Sequence, residues 1–228
     1  MDKTFDKSYF EGRGSNYWWT VGSYEKLKVF PHWEEIVNYI WKFINGGRLL
    51  DIGCAYGFLV REASKYFESF GIDISSFAVM KSKKYCKGKI SRASAISIPF
   101  KEESFEVVTV IDTLEHVSHI NRCLKEISKI LKDNGVLFLQ VPNPLFWSEI
   151  CGRIGLEDKT HMNNFWLKQW QTVVEQNGFE ITKSVGVIAF SFGKLRFFLK
   201  SGKATSLFPG WWIIAKKVFR VPEHVESR

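Results

Sequence analysis

A chain of 228 residues that is 45% hydrophobic and 25% charged has enough apolar side chain for one large core and too much for a disordered segment. No apolar run approaches the roughly 20 residues that cross a bilayer, and the opening Met1-Asp2-Lys3-Thr4-Phe5-Asp6 lacks the apolar stretch of a secretory signal. A cytoplasmic protein without a transmembrane segment is therefore expected.

The chain opens on aromatics, Tyr9-Phe10, Tyr17-Trp18-Trp19 and Tyr24, followed by a predicted helix from His32 to Ile44 that ends at Gly46-Gly47. Residues 1–47 read as an N-terminal aromatic cap or lid with its helix, and 48–228 as one α/β domain. Strand patterns at Arg48–Ile52, Glu68–Ile72, Lys89–Arg92, Val107–Ile111 and Val136–Val141 alternate with helical spacing at Phe58–Lys65, Ser76–Tyr85 and Ser118–Leu131. That alternation predicts a doubly wound, Rossmann-like parallel sheet with helices on both faces. Asp133-Asn134-Gly135 reads as the stop of the third helix. A loop from Pro142 to His161 leads to a helix at Asn164–Gln176 and strands at Glu180–Val187 and Trp211–Lys217.

The net charge of +8 is gathered late, because Thr182 to Pro222 holds no Asp or Glu but includes Lys183, Lys194, Arg196, Lys200, Lys203, Lys216, Lys217 and Arg220. With Phe197, Phe198, Phe208, Trp211 and Trp212 between them, these have two readings. One is a face for peripheral membrane contact or another anionic partner; the other is closing strands whose lysines are solvated and whose aromatics are core. Cys54, Cys86, Cys123 and Cys151 form no C-x-x-C pair, which argues against a zinc site or a disulfide framework and for reduced, mostly buried thiols.

The first strand runs into Asp51-Ile52-Gly53-Cys54-Ala55-Tyr56-Gly57, where two glycines allow backbone to approach a ligand or to take unusual dihedrals. Strand two ends at Asp73, about 20 residues on, the separation expected of an acid that accepts from ribose hydroxyls, although an acid there also serves as a helix cap. A dinucleotide loop needs glycine at the positions of Ala55 and Phe58, and no Lys-Ser/Thr of a phosphate loop follows. The pattern favours a nucleoside ligand without a polyphosphate.

With these motifs the chain resembles the class I S-adenosylmethionine-dependent methyltransferases over roughly Arg48 to Val187. Leu50-Asp51-Ile52-Gly53-Cys54-Ala55-Tyr56-Gly57 is similar to their first motif, and Gly71-Ile72-Asp73-Ile74-Ser75 to the ribose-binding one. Ile98-Pro99-Phe100, Asp112-Thr113-Leu114-Glu115-His116-Val117 and Leu131-Lys132-Asp133-Asn134-Gly135-Val136 follow in the family's order. The resemblance implies a seven-stranded sheet in the order 3-2-1-4-5-7-6, with the last strand antiparallel. It implies S-adenosylmethionine as cofactor, with Asp51, Gly53, Cys54, Ala55 and Gly57 around its methionine part, Asp73 and Ile74 at ribose and adenine, and Asp112 beside the ammonium. Where many members carry an acid for the adenine amino group this chain has Ser94-Ala95, and a hydroxyl is a weaker acceptor than a carboxylate.

Methyl transfer from a sulfonium requires no metal, only alignment and removal of a proton. The candidate bases are His161, in Asp158-Lys159-Thr160-His161, and His116. His161 reads as a base or orienter of the acceptor, or as a cap of the helix after it; His116 and Glu115 read also as holding the loop after strand four. The resemblance implies a small-molecule, lipid-linked or glycan-linked acceptor, methylated at oxygen. The alternatives are RNA or protein methylation and a catalytically silent cofactor-binding subunit. Asn143-Pro144-Leu145-Phe146 looks like the flipped-base platform of nucleic-acid methyltransferases but follows strand five, so it reads as a turn and argues against a nucleic-acid acceptor.

Overall fold

The computed structural model describes residues 4–12, 22–86, 89–146, 158–192, 195–201 and 208–218, with backbone alone at 189–192 and 195–197. A short helix α1 (Lys7–Glu11) and a 3-10 turn at Tyr24–Val29 precede helix α2 (His32–Ile40). Then β1 (Arg48–Ile52), α3 (Phe58–Ala63), β2 (Glu68–Asp73), α4 (Ser76–Ser82), β3 (Ile90–Arg92) and β4 (Phe105–Ile111) alternate. After α5 (Ile120–Ile130) come β5 (Leu131–Pro142), α6 (Leu167–Gln176), β6 (Phe179–Phe192), β7 (Leu195–Ser201) and β8 (Gly210–Lys217).

The strands make one sheet in the order β3-β2-β1-β4-β5-β8-β6-β7. Strands β3, β2, β1, β4 and β5 are parallel, and β8 runs antiparallel between β5 and β6. The expected insertion of the last strand is present. The expected count of seven strands is corrected to eight, because β6 continues beyond Val187 and β7 pairs with it along the sheet edge from Gly186↔Ser201 to Phe192↔Leu195. Gly193-Lys194, between the two strands, lies outside the described residues.

Side-chain alternation along the strands divides the core in two. On one face Leu50, Ile52, Val108, Val110, Leu137 and Ile213 pack against Leu124 and Ile127 of α5 and Trp170 and Val174 of α6. On the other, Leu49, Val107, Phe138 and Trp212 meet Ile36, Val37 and Ile40 of α2 and Leu59 and Ala63 of α3. Both faces are covered, which is why the central parallel strands β1, β4 and β5 carry long apolar runs. Helix α5 ends at Ile130 rather than at the Asp133–Gly135 turn, since Leu131 is already extended and pairs with Phe105 of β4.

In the basic C-terminal part, Trp211 and Trp212 are fully buried, Lys200 pairs with Glu35 at 2.7 Å, and Lys217 donates to the Leu131 carbonyl at 2.8 Å. Lys194, Lys203 and Arg220 lie outside the residues whose side chains are described. Cys54, Cys86 and Cys123 are free and buried; Cys151 lies outside the described residues. Among the described residues no helix is long and apolar enough to cross a membrane.

Truncating Ile127, which is fully buried between α5 and the sheet, to alanine is expected to cost about 2–5 kcal/mol in urea unfolding. An unchanged midpoint would contradict this packing.

Candidate active site

Chain order reverses on the two sides of the β1–β4 pair, so the connections leave in opposite directions and open a crevice at the strand C-termini. The loop after β1 is fastened to the end of β2. The Gly53 and Cys54 amides donate to the Ile72 carbonyl at 2.8 and 3.1 Å, and the Ala55 amide to Asp73 Oδ2 at 2.8 Å. Gly53 has φ 74°, and a Cβ there would stand 2.2 Å from Thr113 Oγ1. Ala55 holds φ 46°, a left-handed conformation that a non-glycine residue adopts at a cost and that its bond to Asp73 helps to hold.

A cavity of about 750 Å³ fills the crevice. Gly53, Ala55, Asp73, Ile74, Ser94, Ala95 and Asp112 line one part of it, and His116 and His161 another. Asp51, Cys54 and Gly57 stand behind the lining. Asp51 Oδ1 accepts from Thr109 Oγ1 at 2.8 Å between β1 and β4, and burial pushes its carboxyl up to about 7 against that bond. Cys54 packs on Gly71, and Gly57 (φ 76°) leaves room for Ile90 and Cys86.

Asp73 is buried and uses both oxygens within the protein, Oδ1 accepting from the Ser75 amide at 2.8 Å. It is not the cap of α4. Ser75 is, its hydroxyl accepting from the Ala78 amide at 3.1 Å. Each Asp73 oxygen has a second lone pair for a ligand hydroxyl. Asp112 (φ 44°) presents surface to the cavity from a deep position, and burial lifts its carboxyl to about 6. Gln140 Nε2 donates to its Oδ2 at 2.6 Å, and Trp212 Nε1 donates to Gln140 Oε1 at 2.8 Å, which settles which way the amide points.

The 3-10 turn Leu114–His116 faces the loop before α6. Asn163 clamps the two, its Nδ2 donating to the carbonyls of Leu114 and Val117 at 2.8 Å each, while the Met162 and Asn163 amides donate to the Glu115 carbonyl. The clamp brings the His116 and His161 rings to 4.8 Å, edge to face. Thr160 Oγ1 donates to Asp158 Oδ1 at 2.6 Å and so accepts from His116 Nδ1 at 2.9 Å; the Thr160 carbonyl is 3.2 Å from the same nitrogen. The proton of neutral His116 is therefore on Nδ1, and the lone pair on Nε2. Burial lowers the affinity of His116 for a further proton, opposed by Asp158; burial and His116 together push His161 down to about 4. Burial works against the Asp158 charge, but Thr160 and the two histidines hold its carboxyl below the ordinary value.

Helix α1 roofs the cavity. The rings of Phe5 and Tyr9 stand edge-on to His116 at 5.4 and 6.3 Å, and Phe10 packs on Tyr24 and Tyr56. Tyr17-Trp18-Trp19 lies outside the described residues. The cavity extends past Pro142 among Phe30, Trp33, Phe146 and Phe198, beside His32, which burial pushes down to about 4. Asn143 is spent on the fold: its Nδ2 donates to the Phe208 carbonyl at 2.7 Å and its Oδ1 accepts from the Leu145 amide at 3.0 Å. Gln140 and Asn163 went unmarked in the sequence, since an amide in a strand or a loop gives no periodic signal, and Trp212 was marked only as a strand aromatic. Thr160 was marked by its place between Asp158 and His161, without a partner being assigned to it.

A family model described as a methyltransferase domain matches residues 26–184, more than half of the chain, and the chain belongs to that family, within the class I S-adenosylmethionine-dependent fold. It is 26% identical over 141 residues to an uncharacterized methyltransferase, YcgJ, of Bacillus subtilis, covering 57% of this chain and 56% of that one. It is 33% identical over 115 residues to the ubiquinone biosynthesis O-methyltransferase of Pelagibacter ubique, covering 48% of each. The match thus spans about half the length of these curated relatives. A solved SAM-dependent methyltransferase of Thermotoga maritima superposes with TM-score 0.69 at 18% identity, over 89% of this chain and 98% of that one. S-adenosylmethionine is the cofactor that this family and fold imply, and the donor set fits it: the cavity-lining carboxylates of Asp73 at the end of β2 and Asp112 after β4 suit ribose hydroxyls and an ammonium.

Calorimetry with S-adenosylmethionine is expected to show binding that Asp73→Ala weakens about tenfold or more, the loss of a charge-assisted pair of hydrogen bonds. Affinity is also expected to depend on pH. Asp112 with its carboxyl at about 6 must be ionised to face an ammonium, so binding falls as pH drops through that value, by up to about tenfold per unit, and is flat above it. Equal affinity at pH 5 and pH 7.5 would contradict a contact between Asp112 and a cation.

Proposed function

We propose that this chain transfers the methyl group of S-adenosylmethionine to a hydroxyl oxygen of a small, lipid-linked or glycan-linked acceptor with an apolar, ring-bearing body. The observation that carries the reading is continuity. One cavity runs from Asp73, Ser94 and Ala95 past Asp112 to His116 and His161, and on among Phe30, Trp33, Phe146 and Phe198. A cofactor with its ribose on Asp73 and its ammonium by Asp112 turns its methyl toward the histidine pair.

The sulfonium is an activated leaving group, so the protein's work is to line up acceptor oxygen, methyl carbon and sulfur and to help the hydroxyl lose its proton. Two neutral imidazoles suit this, because a lone pair is present at neutral pH where an imidazolium has none. The aromatic walls suit an acceptor that buries a flat apolar body. The relative named for O-methylation in ubiquinone biosynthesis supports an acceptor of that kind. RNA is the less favoured acceptor: no lysine or arginine is among the described residues that line the cavity, and a bound strand needs cations for its phosphates.

With methyl-labelled cofactor, transfer is expected onto hydroxylated aromatic compounds, and His161→Ala is expected to lower turnover about 100-fold or more while cofactor affinity stays near that of the parent protein. Unchanged turnover in this variant would refute the role given to the pair.

A further inference from the structure

Glu115 is 1% exposed, and its Oε2 has no hydrogen-bond partner. A buried carboxylate in that state is costly, and it is relieved by a proton, a cationic side chain or a metal ion. No cationic side chain is at hand: among the described residues the cavity is lined by Asp73, Asp112, Glu115 and Asp158, with no lysine or arginine. Two of those acids, Asp112 and Asp158, also bear on Glu115 electrostatically, so negative charge accumulates around it.

The side chains of His116 and His161 supply what a metal needs. One ligand atom from each of Glu115, His116 and His161 lies within 4.8 Å of the other two. His116 has its Nδ1 proton committed to Thr160, whose hydroxyl is committed in turn to Asp158. A metal-ligating histidine is ordinarily oriented in this way through its other nitrogen.

We propose that Glu115, His116 and His161 bind a divalent transition-metal ion, of the zinc or cobalt type, beside the place of the transferable methyl. Two imidazole nitrogens and one carboxylate favour such an ion over magnesium or calcium, which take oxygen ligands, and three protein ligands leave a position open for the acceptor. The ion site stands on the side-chain cluster alone; its part in the chemistry rests on the methyl-transfer reading. There the acceptor hydroxyl coordinates the ion and releases its proton to water. Its oxygen then forms the bond to the methyl carbon as the carbon–sulfur bond breaks, leaving a neutral thioether. The pair of histidines thereby activates the acceptor through the ion instead of by direct proton removal.

The test uses the untagged full chain, stripped by a chelator that is then removed and titrated with cobalt(II) alone, without cofactor or acceptor. Visible absorption is expected to report one ion per chain in a low-symmetry nitrogen–oxygen site, with a Kd in the micromolar range or tighter that zinc(II) competes away. Thr160→Val is expected to weaken binding about 10- to 100-fold through the lost partner of His116. Glu115→Gln and His161→Ala are expected to weaken it at least as much, with folding of each checked by circular dichroism. The half-buried His161 keeps the test open if the Glu115 variant fails to fold. Absence of cobalt binding by the parent chain, or binding that His161→Ala leaves unchanged, overturns the proposal. Cofactor binding without cobalt binding sinks the ion site alone, whereas cobalt binding without cofactor binding sinks the methyl-transfer reading and leaves the ion site standing.

Discussion

Four carboxylates, Asp73, Asp112, Glu115 and Asp158, line a single cavity at the sheet's C-terminal edge with no described cationic side chain among them. Burial without a countercharge is unfavourable, and the protein spreads the cost over backbone amides, a glutamine and hydroxyls. Asp73 draws on the Ala55 and Ser75 amides, Asp112 on Gln140, and Asp158 on Thr160. What those donors leave uncompensated is the attraction for a cationic ligand. S-adenosylmethionine carries a sulfonium and an ammonium, so the charge of the cavity and that of the cofactor are complementary.

The fold places this constraint at one spot. Reversal of chain order across β1 and β4 opens the crevice, and β8, pushed antiparallel between β5 and β6, brings Trp212 beneath Gln140. A core tryptophan thus orients an amide that in turn orients Asp112. The histidine end is built differently, by the Asn163 clamp that joins the turn after β4 to the loop before α6. Both ends depend on a side chain that does not itself line the cavity, Trp212 at one and Asn163 at the other.

Much of this was legible in the residues. Periodicity placed β1 through β5 and the helices between them, because a parallel sheet covered on both faces needs apolar runs at regular intervals. Boundaries drifted where polar residues continued a strand, as at Lys132–Gly135 in β5, and the pairing of β7 was not visible because the basic, aromatic stretch that holds it read equally as a surface face or as closing strands. At the site, Asp73, Asp112 and the two histidines were visible as motif residues. Gly57 and Asp51 sit behind the cavity wall, where packing against Ile90 and Cys86 and a bond to Thr109 account for them. Gln140 and Asn163 were invisible, since their roles come from contacts between segments distant in the chain.

The most direct test of the account is a crystal structure with S-adenosylhomocysteine. The arrangement predicts ribose hydroxyls within hydrogen-bond distance of Asp73, the amino group beside Asp112, and the sulfur facing His116 and His161. A ligand seated away from Asp73, or one whose sulfur faces away from the histidine pair, would contradict it.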